Sequence, residues 1–270
     1  MTKSILGRVT PDNVHDDPFP YILTTEALDP EYYEELAAHY PDFSGHPGAS
    51  KNNVSISMSG LHAFSDEIPL HPVWKEFMAF HYSGEFLQQV ISTLGDLIPE
   101  SFPDLETQLG KKMQDLTVVP RHIEGDADVE IHIPFRVNTP VTEASRVRSK
   151  HVDSPKKLFN GLFYFRAPED DCIGGDLEIC RWKVGRRFND VFVKDDWADV
   201  DDIVPYRANT FIMFLNTPDS VHGVTIRLPT PHFRRYIGFT AEFKQPVYDL
   251  DALQDNSTPW ALTLGPNNND

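Results

Sequence analysis

Only two cysteines, Cys172 and Cys180, occur in 270 residues. That excludes a disulfide framework and a structural zinc site built on four thiolates. Positive charge is scarce as well: 24 Lys and Arg stand against 41 Asp and Glu, a formal net charge of −17. Such a surface repels phosphate backbones and anionic bilayers, so neither a nucleic acid nor a membrane is expected as main partner, although a local basic pocket is compatible with it. No apolar run approaches the roughly 20 residues of a membrane-spanning helix. The opening MTKSILGRVTPDNVHDDPFP holds no uninterrupted apolar stretch of the signal-peptide kind. Internal repeats are absent, and so is the HExxH helix that would support a zinc hydrolase. A soluble, cytoplasmic protein is expected, and the oligomeric state is not legible.

What is present suffices for a sizeable core: 40% of residues are hydrophobic and 11% aromatic. The segment PFPYILTTEALDPEYYEELAAHYPDF predicts a strand over residues 21–24 and then a helix. Asp29 caps that helix, Pro30 takes its first position, and Pro41 stops it, with Leu36 and Tyr40 on one face. Residues 43–53 read as a polar loop. Over residues 71–97 Trp74, Phe77, Met78, Phe86, Val90, Ile91 and Leu94 recur at helical spacing, with a break at Ser83-Gly84. A further helix is expected over residues 103–115.

After Leu116 the character changes. VEIHIPFRVNT, LFNGLFYFRA, GGDLEICRWKV, NTFIMFLNT, SVHGVTIRL and RRYIGFTAEF are β-rich runs between Gly, Pro, Asn and Asp clusters. The acidic run KDDWADVDD (residues 194–202) reads as a solvated loop, and His132 as a hydrogen-bonded strand histidine. Helices followed by strands predict one α+β domain over residues 1–270. Residues 1–115 form its mainly helical support, 116–245 a β-barrel or double sheet, and 246–270 a polar tail.

Chemistry concentrates at "HVDSP". On a strand, alternate residues face one side, so His151 and Asp153 can point at one cation. His222, in "TPDSVHGVTIR", is the candidate third ligand. Two imidazoles and a carboxylate are the facial set that leaves open positions on Fe(II). A second His-x-acid triplet, His122-x-Glu124, has no comparable sequel. Near the C-terminal end, RRYIGFTAEF brings two arginines into an otherwise apolar strand. A buried guanidinium needs a carboxylate, from the protein or from a diacid ligand. Arg235 is the first choice for that role, ahead of Arg234 and Arg227.

With "HVDSP", "LFYFR…GGDLEI", "SVHGV", "RRYIGF" and the N-terminal "PFPYILTTEALDPEYYEELAAHYP" in this order, the chain resembles the Fe(II)/2-oxoglutarate-dependent oxygenases, and most closely their prolyl-4-hydroxylase-like branch. The resemblance spans most of residues 18–245. It implies a double-stranded β-helix (jelly-roll, cupin-like) core, with His151, Asp153 and His222 holding iron and 2-oxoglutarate and O2 as cosubstrates. It implies that Arg235 binds the distal carboxylate of 2-oxoglutarate, that Tyr164 hydrogen-bonds the same group, that Leu177 lines its pocket, and that Gly174-Gly175 form a turn closing a strand pair. Many relatives carry a hydroxyl residue two positions after the arginine; counted from Arg235 that position is Ile237, which leaves Tyr164 as the replacement. Halogenating relatives replace the aspartate by a small residue, so Asp153 implies hydroxylation or another oxidation without halogen transfer.

The expected reaction is therefore hydroxylation of an unactivated C–H bond in a small molecule or amino-acid-like substrate, free or peptidyl, with release of succinate and CO2. Desaturation or ring closure on the same scaffold, or a non-oxidative metal-binding module, are the alternatives. Arg136, Asn138, Arg146 and Arg148 precede the metal segment. They are candidate substrate contacts and hint at an anionic substrate, against ordinary surface charge.

Overall fold

In the computed structural model the described residues are 3–253, apart from 67, 69 and 184. The chain enters through two short antiparallel strands, β1 (Val14–His15) and β2 (Tyr21–Thr24). Helix α1 (Pro30–Ala38) begins as its sequence dictates: the Asp29 carboxylate accepts from Glu31 N at 3.1 Å and Pro30 occupies the first position, where its missing N–H costs nothing. Strand β3 (Ser55–Ser59) follows, then α2 (Pro72–His81) and α3 (Gly84–Leu94), separated where Ser83 caps α3 by accepting from Phe86 N. Two one-turn helices come next, α4 (Leu97–Ser101) and α5 (Leu105–Leu109). The helix expected over 103–115 is thus only five residues long, plus a 3-10 turn at Met113–Asp115. Gly110 adopts the left-handed conformation (φ 63) and ends it, and the Glu106 carboxylate accepts from Met113 N instead of facing solvent along a helix.

The strands then follow: β4 (Val118–Pro120), β5 (Val129–His132), β6 (Pro134–Asn138), β7 (Lys157–Tyr164), β8 (Leu177–Trp182), β9 (Ala198–Val204), β10 (Phe211–Leu215), β11 (His222–Val224) and β12 (Arg234–Phe243). The run VEIHIPFRVNT is two strands interrupted at Ile133. The acidic run taken for a loop contributes β9. Its acids face water from the outer edge of a sheet while Ala198 and Val204 are buried, the way charged edge strands avoid pairing with other chains. His132 lies on β5 and contacts Arg121 Nη1 through Nδ1 at 3.4 Å.

Strand order identifies the architecture. In the larger sheet β6 pairs with β12, β12 with β7 and β7 with β10, all antiparallel; β2 and β1 extend it beyond β10, β3 beyond β6, and β5 and β4 along β12. Thus strands from the N-terminal, mainly helical third complete this sheet. In the smaller sheet β11 pairs with β8 and β8 with β9, and His151 joins through an isolated bridge to His222. From β6 to β12 the chain crosses repeatedly between the two sheets, which is the jelly-roll, or double-stranded β-helix. The two inner faces meet through Tyr164, Leu177, Ile179, Val204, Ile212, Phe214 and Tyr236. The outer face of the larger sheet packs Phe159, Phe163, Phe239 and Ala241 against Trp74, Phe77, Met78, Phe86 and Val90 of α2 and α3. Each such aromatic contributes about 1.5–3 kcal/mol by leaving water.

His81 at the end of α2 is fully buried in this layer, its Nδ1–H donating to Phe77 O (2.7 Å) and its Nε2 accepting from Ile5 N–H (3.2 Å). That pattern holds the ring neutral, and burial pushes its pKa down to about 3 from 6.5. The unfolded chain therefore binds a proton below pH 6.5 that the folded one refuses. Stability from this group is complete above pH 6.5 and is lost as pH falls toward 3, by about 1.4 kcal/mol per pH unit. In His81→Gln, urea midpoints measured between pH 7 and 4 are expected to fall less steeply than in the wild type. Parallel slopes would show that His81 takes up its proton without opening the core.

Candidate metal centre

His151 and His222 face each other across the smaller sheet, each backbone N–H donating to the other's carbonyl at 2.9 Å. His151 is not within a continuous strand, as the pattern suggested, but in this isolated bridge; Asp153 follows it in irregular backbone just before β7. The three side chains nevertheless converge. His151 Nε2 lies 3.9 Å from Asp153 Oδ1, and His222 Nε2 lies 3.8 Å from Asp153 Oδ2. Bonds of about 2.1 Å let one cation touch atoms up to about 4.2 Å apart, so both separations suit a shared metal. Among the described residues this is the one such cluster of His, Cys, Asp and Glu.

The surroundings prepare these groups as ligands. His151 Nδ1 is 2.8 Å from Ser149 O and His222 Nδ1 is 2.9 Å from Ser220 O. Each Nδ1 must carry the proton to make that bond, which turns the Nε2 lone pair toward Asp153. Burial pushes both imidazoles down, with each other's proximity adding to it for His151, so they stand neutral. Burial alone would raise the Asp153 pKa, but the Lys157 ammonium, the largest opposing influence, helps to outweigh it and keep the carboxyl ionised. Asn160 Nδ2 donates to Asp153 Oδ2 at 2.7 Å, and Lys157 Nζ lies 3.2 Å from Oδ1.

Arg234, not Arg235, shares this face. Along β12 the side chains of Arg234, Tyr236 and Thr240 turn to the cavity that holds the triad and Gly238 lines it between them, whereas Ile237, Phe239 and Ala241 turn to the helices. Arg235 accordingly sits on the helix side, donating from Nε to Phe165 O at 3.0 Å, 5.5 Å from the Tyr40 ring. Arg234 is 1% exposed, between the rings of Tyr164, Tyr206 and Tyr236. Its Nε donates to Gly175 O (2.6 Å) and its Nη1 to Asn138 Oδ1 (3.1 Å), but Nη2 is buried with no partner. Among the described residues no carboxylate pairs with it. The Tyr164 hydroxyl is buried and unpartnered beside it, with its pKa pushed up to about 12, chiefly by burial. A buried guanidinium and a buried phenol left open at one place match an oxyanion-bearing ligand rather than a self-contained core. Counting from Arg234, the position two residues on is Tyr236, a hydroxyl-bearing side chain on the same face.

Leu177 lines the same cavity. Gly174 and Gly175 have φ of 80 and 82 in the loop before β8, and a Cβ on Gly174 would stand 1.8 Å from Ile226 O. Instead of closing a tight strand pair, they bring the Gly175 carbonyl against Arg234. Arg227 is also fully buried, but donates to Asn53 Oδ1, Thr139 O and His232 O and so clamps loops away from the triad. Of the basic segment, Arg136 and Arg148 line the cavity, Asn138 lies behind Arg234, and Arg146 is elsewhere, paired with Asp195 at 3.3 Å. His122 lies in a separate turn (φ 71). Lys157 and Asn160 went unnoticed in the sequence. The signal was the inward phase of LFNGLFYF, where Asn160 breaks an otherwise apolar alternation.

The chain matches no known family model and no curated protein sequence. Among solved structures it is similar to a prolyl-4-hydroxylase from Pseudomonas putida, at 13% identity over 83% of this chain and 93% of that one, TM-score 0.40. It is similar to SnoN, a non-heme α-ketoglutarate-dependent epimerase from nogalamycin biosynthesis, at 14% identity over 86% and 82%, TM-score 0.45. A third is a prolyl hydroxylase from Trichoplax adhaerens in complex with a hypoxia-inducible-factor peptide fragment, at 10% identity over 83% and 84%, TM-score 0.40. Likeness of this size carries no argument, so the fold stands on strand order and the site on its geometry.

Proposed function

We propose that this chain is an Fe(II)- and 2-oxoglutarate-dependent dioxygenase that hydroxylates an unactivated C–H bond of a small molecule or amino-acid-like substrate. One observation carries the reading: the buried His151, Asp153 and His222 set shares an inner face with a buried Arg234 whose Nη2 has no partner. When bound, Fe(II) with 2-oxoglutarate and O2 supplies an oxidant strong enough for a C–H bond, with succinate and CO2 released. His151, Asp153 and His222 would hold the iron, and two imidazoles with one carboxylate leave positions for the cosubstrates. Arg234 Nη2 and Tyr164 OH would take the distal carboxylate of 2-oxoglutarate, with Leu177 against its carbon chain. The apolar packing of Leu177, Ile179, Ile212 and Phe214 between the sheets keeps water from that end. No side chain is required as general base, which agrees with a cavity whose lining contains Asp153 as its one carboxylate.

Anaerobic addition of Fe(II) and then 2-oxoglutarate to the metal-free protein is expected to give a weak visible metal-to-ligand charge-transfer band that saturates with the cosubstrate. A folded, iron-loaded protein with no such band would sink the reading and leave a metal-binding module in its place.

A further inference from the structure

The cavity that opens on the triad measures about 280 Å³. Four cationic side chains line it, Arg136, Arg148, Lys157 and Arg234, against one carboxylate, Asp153. That balance is opposite in sign to the chain's net charge of −17. Under the iron and 2-oxoglutarate reading, on which this inference rests, the dication and the dianion cancel. Lys157 offsets Asp153, 3.2 Å away; of the three cations that remain, Arg234 is satisfied by hydrogen bonds to the distal carboxylate. Arg136 and Arg148 are left unbalanced.

Neither is neutralised by the protein. Arg136 lies on β6 opposite Tyr236, and its Nε is buried with no hydrogen-bond partner. Arg148 lies in the segment leading to His151, its guanidinium over the Phe192 ring at 5.9 Å, and that ring is 6.5 Å from His151. Among the described residues no carboxylate pairs with either, whereas neighbouring Arg146 does have one in Asp195. Arg148 is exposed and joins through its place on the cavity wall, whereas half-buried Arg136, with an orphaned Nε at the mouth of a reactive site, gives up hydration for nothing unless a ligand supplies the missing acceptor. Clefts lined by one sign of charge also raise the local concentration of oppositely charged ligands.

We propose that Arg136 and Arg148 bind an anionic oxygen group of the substrate, a carboxylate or a phosphate, and so hold the carbon to be oxidised against the metal. The two guanidiniums act as specificity determinants: a neutral or cationic analogue would leave Arg136 unpaired.

The test uses the Fe(II)- and 2-oxoglutarate-loaded protein under anaerobic conditions and three probes: para-fluorobenzoate, para-fluorophenyl phosphate and para-fluorobenzamide. Fluorine NMR reads how strongly the paramagnetic iron broadens each. At least one of the two anions is expected to be broadened and the amide not, and the stronger of the two tells carboxylate from phosphate. Arg136→Gln and Arg148→Gln are each expected to raise the half-maximal concentration about tenfold or more, the loss of a charge-assisted bond. Arg136→Lys is expected to recover part of the broadening. The charge-transfer band in each variant shows that it is folded and loaded. Equal broadening of the amide, broadening of none of the probes, or Gln variants with unchanged affinity would each overturn the inference. Loss of the band in the wild type is a different failure, that of the oxygenase reading itself.

Discussion

Arg234→Ala raises the 2-oxoglutarate concentration needed for half-saturation of the charge-transfer band by about 100-fold or more, while Arg235→Ala leaves it within about twofold. The asymmetry follows from strand phase. Arg234 is 1% exposed, directed to the cavity, and tied at Nε and Nη1 so that Nη2 is presented in a fixed place beside the Tyr164 hydroxyl. Truncating one partner of a buried, hydrogen-bonded charge pair costs about 2–5 kcal/mol, and about 2.7 kcal/mol is already 100-fold. Arg235 spends its guanidinium on Phe165 O and the Tyr40 ring, on the far side of the sheet. Its removal lowers the melting temperature through lost packing without touching the cosubstrate. Titration of both variants with 2-oxoglutarate at fixed Fe(II) measures this. If Arg235→Ala proves the weaker binder, the distal carboxylate lies on the helix side of β12 and the assignment is reversed.

That adjacent pair also shows what a single sequence can and cannot carry. The triad was legible because His151-x-Asp153 is local and His222 opens its own short apolar run, so only their meeting had to be inferred. The phase of β12 was not, because the strand is covered on both faces and each phase opens with an arginine, Arg234 in one and Arg235 in the other. A weaker signal was available. One phase holds Arg234, Tyr236 and Thr240, and the other holds Ile237, Phe239, Ala241 and Phe243. The polar phase is the one that meets a cavity. Strand β9 was hidden for the opposite reason: its outward acids read as solvent-exposed loop, and only Ala198 and Val204 mark a buried side. The helix expected over residues 103–115 stops at Leu109 because Gly110, left-handed, ends it. The jelly-roll itself was anticipated from resemblance and β2 was read at residues 21–24, while β1 and β3, which also extend the larger sheet, had no periodic signal long enough to read.

The metal set should respond in two graded steps. His222→Ala removes one of three ligands and is expected to weaken Fe(II) binding by about 1,000-fold and abolish the charge-transfer band, since losing a ligand costs more than the roughly 10–100-fold lost with a group that only orients one. Asn160→Ala leaves all three ligands in place but frees Asp153 Oδ2 of its 2.7 Å bond, so the carboxylate is no longer held in one orientation. Its expected cost is that smaller range, about 10–100-fold in metal affinity. The Asn160 side chain is not a ligand, so the band reappears at higher Fe(II) in Asn160→Ala and does not in His222→Ala. Competition for Fe(II) against a chromophoric chelator, under anaerobic conditions, gives both affinities on one scale. Metal binding as tight in His222→Ala as in the wild type would remove His222 from the set and with it the facial arrangement on which the chemistry depends.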